Sequence, residues 1–394
     1  MTTTAMPPTT SPATAPTTTP SHLTDADVET LGREFDRIRD EVLAARGETD
    51  ARYIRRIVAL QRGLEAGGRT TLLVSLLPPA WLAGTTMLAL AKILENMELG
   101  HNVLHGQWDW MRDPAIHSTT WEWDFVTPAE AWKRTHNNVH HTWTNIVGRD
   151  RDVGYTFLRV SEDQPWRPWH LAQPLSTVAN AVLFQWGIAL FDLELDAVLH
   201  GRKSKRKLVG EVGDLLAKVT KQLAKDYALF PLLSGPSALP TLAANVTANL
   251  TRNVWAHVII FCGHFPEDTD MFTEEQIDTE TRGEWYVRQL LGSANIDGGP
   301  LFHVLSGNLS HQIEHHLFPD LPSNRYAQIA PWTAPGSSDT WSEATMSPGE
   351  ESGCLPRNRL SSVVALSSWL AAGSSPSPRS PKIWGLPSRV CGGG

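Results

Sequence analysis

From Ala26 to about Arg46, apolar residues recur at helical spacing (Val28, Leu31, Phe35, Ile38, Val42) on a charged background. Thr24 stands just ahead in the N-cap position, so the pattern predicts a surface helix with one face packed on the main domain. Three longer apolar stretches follow. Residues Thr70 to about Leu94 are enough to cross a bilayer, which takes about 20 residues, but Pro78-Pro79 interrupts them. The pattern there predicts a kinked span or a tight hairpin. A second stretch covers 171–199. A third, from about Tyr227 to Phe265, is broken near Gly235-Pro236 and has room for two spans.

Charge placement separates these stretches. The second ends in acids (Asp192, Glu194, Asp196) and is followed by Arg202, Lys203, Lys205, Arg206 and Lys207. Basic loops favour the cytoplasmic side. The second stretch is therefore expected to lie in the interface, and the third to form a hairpin that returns the chain to the cytoplasm. The predicted class is all-α and integral-membrane. Residues 1–22, rich in Thr, Pro, Ala and Ser, are expected to be disordered, 23–331 to form the folded domain, and 332–394, rich in Ser, Pro and Gly, to be a disordered or frameshifted tail.

Composition narrows the function. A net charge of -8 with no basic stripe argues against a nucleic-acid partner. The three cysteines, Cys262, Cys354 and Cys391, form no CxxC pair, which argues against a disulfide framework or a thiolate zinc site. Sixteen tryptophans suit a chain that meets a membrane interface.

The histidines carry the chemistry. Of 15, eight fall in three short windows: His101-Asn-Val-Leu-His105, His136-Asn-Asn-Val-His140-His141 and His311-Gln-Ile-Glu-His315-His316. Residues four apart share a helix face, so each window offers two imidazoles to one metal, and the adjacent His141 and His316 point elsewhere. Imidazole suits iron, zinc, copper or nickel rather than calcium or magnesium, and eight candidates exceed one tetrahedral ion. Two metals are the economical reading. Glu98, Asp150, Asp152 and Glu314 are placed to orient imidazoles. His257 and His264 lie seven apart at the end of the last apolar stretch; helix length brings His264 to the level of the boxes, with His257 and Asn253 as the deeper alternative. All the boxes fall after apolar stretches, so they can meet on one membrane face, taken as the cytoplasmic one.

The segments Glu95–Trp110, Trp132–Thr142 and Gly307–Pro319, which contain the three boxes, resemble the membrane fatty acid desaturases, in particular bacterial acyl-CoA enzymes of the stearoyl-CoA Δ9 type. The likeness covers roughly residues 25–331. It implies a helical membrane fold whose cytoplasmic cap carries a di-iron centre, O₂ as co-substrate, an acyl-CoA substrate, and electrons from NADPH through a separate reductase or ferredoxin, with membrane lipid as surroundings. Basic residues such as Arg149, Arg151, Lys203 and Lys205 are candidates for the CoA phosphates. The third box departs from the family pattern at Gln312, which leaves Gln312 and His311 as alternative ligands. The expected function is insertion of a cis double bond into a long acyl chain. The alternatives are a hydroxylase of the same superfamily and a chain inactivated by an altered C-terminus; a histidine-rich metal transporter is the rival from another class.

Overall fold

The computed structural model describes residues 18–20, 23–267 and 269–333. The expectations for 1–17 and for the tail beyond Thr333, with Cys354 and Cys391, lie outside the described residues. The described residues are helical; among them no strand is formed, and Ile146 and Phe272 make one isolated bridge.

Helix α1 (Asp25–Ala44) starts where predicted. Thr24 and Asp27 form a reciprocal capping box, and Val28, Leu31, Phe35, Ile38 and Val42 are buried. Its apolar stripe packs on α9 (Arg282–Leu291) through Phe35 and Tyr286, whose rings lie 5.2 Å apart. Helix α2 (Glu48–Thr71) runs into a short turn, and Pro78-Pro79 then occupies the first positions of α3 (Pro78–Leu94). Proline is tolerated there because those N–H groups have no intrahelical partner. The stretch 70–94 is thus the turn and second arm of an α2–α3 hairpin, not a kinked span.

Helix α3 continues through a π-helical segment, Glu95–His101, and a last turn at Asn102–Leu104. Helix α4 (Ala129–Thr135) continues in the same way into π-helical His136–His140 and then His141–Trp143. The stretch 171–199 breaks into α5 (Gln173–Val182), α6 (Phe184–Phe191) and a short turn, Leu195–Leu199, rather than one helix. Helix α7 (Lys205–Leu223) extends to Leu233, turns at Gly235-Pro236, and returns as α8 (Ala238–His264). Two short helices, α10 (Gln312–Leu317) and α11 (Tyr326–Thr333), close the domain.

The α2–α3 and α7–α8 turns meet at one end, where Trp81 Nε1 donates to the Pro240 carbonyl at 2.9 Å. Large apolar residues are exposed there (Leu73, Leu76, Leu77, Leu232, Leu239) and along α8 (Val246, Leu250, Val254, Val258). The inward face of α8 is polar, with Asn245, Asn249, Arg252 and Asn253 buried. Among the described residues no helix is long and apolar enough to cross a membrane.

Between the hairpins lies a buried ion cluster. Asp226 accepts from Arg69 at 2.8 Å and from Lys92 at 2.7 Å; Asp124 accepts from Lys92 at 3.0 Å and from Lys225 at 2.6 Å. Arg252 is fully buried and donates to the Asp124 carbonyl at 3.1 Å and to Gln185 at 2.5 Å. Arg69, Lys92, Lys225, Asp124 and Asp226 each have an opposite charge, which is what permits their burial, whereas Arg252 is satisfied by carbonyl and amide oxygens.

Candidate metal centre

The far ends of α3, α4, α8 and α10 converge. His101, His105, His136 and His315 form one group and His140, His264 and His316 another, each with ligand atoms within 4.8 Å of one another. His101 Nε2 lies 3.1 Å from His315 Nε2, and His264 Nε2 lies 3.0 Å from His140 Nε2 and 2.9 Å from His316 Nε2. His141 sits between the groups, its ring 4.6 Å from His105 and 4.7 Å from His316, and its Nε2 3.3 Å from His136 Nε2.

The outer nitrogens explain why these rings face inward. His264 Nδ1 donates to the Ile260 carbonyl at 2.8 Å and His140 Nδ1 to Asp150 at 3.0 Å. The Thr144 hydroxyl donates to the His140 carbonyl and so accepts from His316 Nδ1 at 3.2 Å. These bonds assign the proton to Nδ1 in all three rings and leave three Nε2 lone pairs converging. Three lone pairs 3 Å apart repel one another unless a cation or a proton lies between them. Two nitrogens each about 2.1 Å from one ion, at right angles, sit about 3.0 Å apart. The spacing and the donor set therefore fit a metal ion. In the other group His315 is oriented by Tyr326, whose hydroxyl faces Nδ1 at 3.2 Å, and His105 Nε2 is buried with no hydrogen-bond partner.

The electrostatics agree. Burial holds His105, His136, His141, His315 and His316 well below the usual histidine range and pushes His101 down to about 3, so these rings are neutral and able to ligate. His140 is opposite. Burial lowers it, but the charges of Asp150 and Asp152 outweigh that and push it up to about 9. The field that draws a proton to His140 equally draws a metal cation, which displaces that proton on binding. Asp152 is raised to about 7 by burial, against the opposing pull of His140. Its carboxylate lies 3.7 Å from Nδ1 of both His136 and His140, one ring from each group.

Glu98 holds the frame. It is fully buried and accepts from Tyr53 at 2.9 Å, Ser323 at 2.6 Å, Asn308 at 3.0 Å and Asn102 at 3.3 Å, which ties the first box to α2 and to the loops around the third.

The structure does not gather every predicted residue. His311 precedes the start of α10, so the rule that residues four apart share a helix face does not apply to it. Its ring stacks on His303 at 4.6 Å, outside both groups. Gln312, the first residue of the helix, faces the second group instead, with Nε2 3.3 Å from His264 Nε2. His257 pairs with Asn180 at 3.3 Å, and Asn253 donates to the Val182 carbonyl at 2.9 Å. Glu314 is buried and accepts from Asn295 at 3.0 Å. Arg149, Arg151 and Lys203 are paired with Glu274, Asp196 and Glu211. Sequence reasoning missed Thr144, Tyr326 and Trp132, whose indole stacks on His136 at 4.3 Å. No spacing marks them.

Beneath the histidines is a small cavity of about 50 Å³ lined by Met97, Phe125, Tyr155, Phe184, Ile188 and Ile260. An apolar floor under a metal-ligating roof is the arrangement needed to hold a hydrocarbon against an oxidising centre. The sequence model of the fatty acid desaturases matches residues 77–343. This chain belongs to that family. The desaturase is 50% identical to the NADPH-dependent stearoyl-CoA 9-desaturase of Mycobacterium tuberculosis, over 79% of this chain and 74% of that protein. It is 26% identical to the sn-1 linoleoyl-lipid 6-desaturase of Synechocystis, over 64% of this chain and 71% of that one. It is 26% identical to the Delta(5) fatty acid desaturase A of Dictyostelium discoideum, over 62% and 54%.

Proposed function

We propose that this desaturase inserts a cis double bond into a long-chain acyl-CoA. In our reading His101, His105, His136 and His315 hold one iron and His140, His264 and His316 the other, with His141 between them and Gln312 beside the second. One O₂ takes two hydrogens from the acyl chain and two electrons with two protons from a donor, leaving an alkene and two waters. The electrons come from NADPH through a separate reductase or ferredoxin, in keeping with the name of the mycobacterial relative. The observation that carries this reading is the convergence of Nε2 lone pairs above the apolar cavity.

The iron pair, when bound, supplies the oxidising power for unactivated C–H bonds that no side chain possesses. The protein's own residues do the rest. Asp150, Thr144 and Tyr326 fix the rings of His140, His316 and His315. The apolar walls exclude water and align two adjacent methylenes under the site.

The membrane reading is part of the same proposal. The exposed leucines of the two hairpin turns are taken to enter the bilayer, with the histidine boxes at its cytoplasmic edge. The 27 residues of α8 span about 40 Å at 1.5 Å per residue, more than the roughly 30 Å of a hydrocarbon core.

The deciding experiment is expression with a matched reductase, followed by iron analysis and gas chromatography of acyl products. Two irons per chain and a mono-unsaturated product are expected. A hydroxy acid without an alkene overturns the desaturase assignment.

A further inference from the structure

The second box ends in a short helix, His141–Trp143, with Thr144 as its cap. The last carbonyls of a helix have no partner within it, and here they meet a cation. Arg288 of α9 is fully buried; its Nη1 donates to the Thr144 carbonyl at 2.9 Å and its Nη2 to the Thr142 carbonyl at 3.2 Å. The other side of the guanidinium is fixed by Glu280, which accepts from Nε at 2.6 Å and from Nη2 at 2.8 Å. A planar fork bonded in two directions has one orientation open to it, and the carbonyls it grips are held in place.

Helix α9 is a firm support for this clamp. Its Gly283 lies so close to α1 that a Cβ there would fall 2.3 Å from the Val28 carbonyl oxygen, and its Tyr286 donates to Asp36 of α1 at 2.6 Å. The contact with the box also runs the other way. Asn145 Nδ2 donates at 2.6 Å to the carbonyl of Gly292, which caps α9, and the Asn145 N–H donates to Asp150 at 2.8 Å. Thr144 and Asp150 are the side chains that orient His316 and His140. Both therefore hang from α9. The first group is held elsewhere: Tyr326, behind His315, accepts from Gln107 at 2.9 Å and donates to the Phe318 carbonyl at 3.3 Å.

The sensitive link is the bond between Thr144 and His316. At 3.2 Å it stands at the far end of the roughly 2.7–3.2 Å range of such bonds, so a shift of Thr144 by about 0.3 Å breaks it. His316 then loses the acceptor that turns its Nε2 toward His264. His101, His105 and His315 stand on other segments and keep their own supports. We infer that Arg288 is a positioning residue for the second metal ion alone. It holds the end of the second box so that the Thr144 hydroxyl meets His316, and it sets how tightly that ion is kept. This inference rests on the two-iron reading above.

The test uses the full chain, loaded with iron, as wild type, R288K, T144V and the double variant. Lysine keeps the charge but cannot hold a carboxylate and two carbonyls in one plane. Valine keeps the shape of threonine without its hydroxyl. Iron per chain is followed as EDTA is raised, and electron paramagnetic resonance separates an isolated ferric ion from a coupled pair. Wild type is expected to hold two irons as a coupled pair. R288K and T144V are each expected to release one iron at an EDTA concentration about tenfold lower, leaving one iron per chain and the signal of an isolated ferric ion. Because Arg288 acts through Thr144, the double variant is expected to match T144V rather than to multiply the two effects. The inference is overturned if R288K releases both irons together, if it resists EDTA as the wild type does, or if the two substitutions multiply. It is also overturned if either variant takes up no iron, since that residue then serves the fold as a whole. A wild-type chain with fewer than two irons removes the parent reading before any variant is compared.

Discussion

Glu98 accepts four hydrogen bonds and has no cation among those partners. Burial raises it from 4.5 to about 7. Between those values the folded chain holds a proton that the unfolded chain has released. The resulting stabilisation is complete below the unfolded value and is lost as pH rises through 7. It amounts to about 3 kcal/mol at most. The apparent Tm of the metal-free wild type, measured relative to E98Q, is expected to fall as pH rises from 5 to 7.5, because glutamine keeps an acceptor without the charge. An equal slope in both proteins sinks the argument. At this scale the site was partly legible. Asp150 could be singled out because acids beside histidine boxes are suited to orienting them; Glu98, singled out on the same ground, bonds Tyr53, Ser323, Asn308 and Asn102 and no imidazole. Thr144 and Tyr326 could not, since a hydroxyl acquires its role only when the fold brings an imidazole to it.

Among the elements, two of the three π-helical segments of the described residues do the positioning. Glu95–His101 and His136–His140 each carry box residues on a widened turn, a device that recurs at functional sites. Counting residues finds the four-residue spacing of a box but not the shift from α to π hydrogen bonding, which depends on what packs alongside. Gly307 shows such packing. It has φ +71, and a Cβ there would lie 2.4 Å from the Met97 carbonyl oxygen in the first π segment. G307A is expected to cost roughly 1–3 kcal/mol and to lower bound iron, measured as apparent Tm and metal content. Normal values for both would show that the close approach does not matter. The hairpins were legible at Pro78-Pro79 and Gly235-Pro236 because proline and glycine mark turns wherever they occur. The stretch 171–199 was not, because its break at Leu183 carries neither residue.

Across the whole molecule, the candidate ligands come from four helices, and His101 and His315 alone stand 214 residues apart in the chain. A bound ion then adds a direct link between segments otherwise joined by packing and hydrogen bonds, and it stabilises the folded state by its affinity. Chelation is expected to lower the apparent Tm by more than about 5 °C, and H264A to lose most of that shift along with its iron. A chelator-insensitive Tm in iron-loaded protein contradicts this. The convergence could be anticipated from the order of boxes and apolar stretches. The ion cluster between the hairpins could not, because Lys92, Arg69 and Asp226 look like ordinary surface charges in a linear sequence.

That cluster constrains how the chain is made. Asp226 emerges from the ribosome more than a hundred residues after Arg69 and Lys92, the partners it neutralises. If the first hairpin entered lipid alone, Lys92 would sit there without either of its carboxylates and Arg69 with Glu65 alone, 3.5 Å away, at a cost of about 2.5–3.5 kcal/mol for an unpaired cation on insertion scales. On the membrane reading proposed above, the first hairpin is therefore expected to wait at the surface, and the two hairpins to insert as one unit after the second has been synthesised.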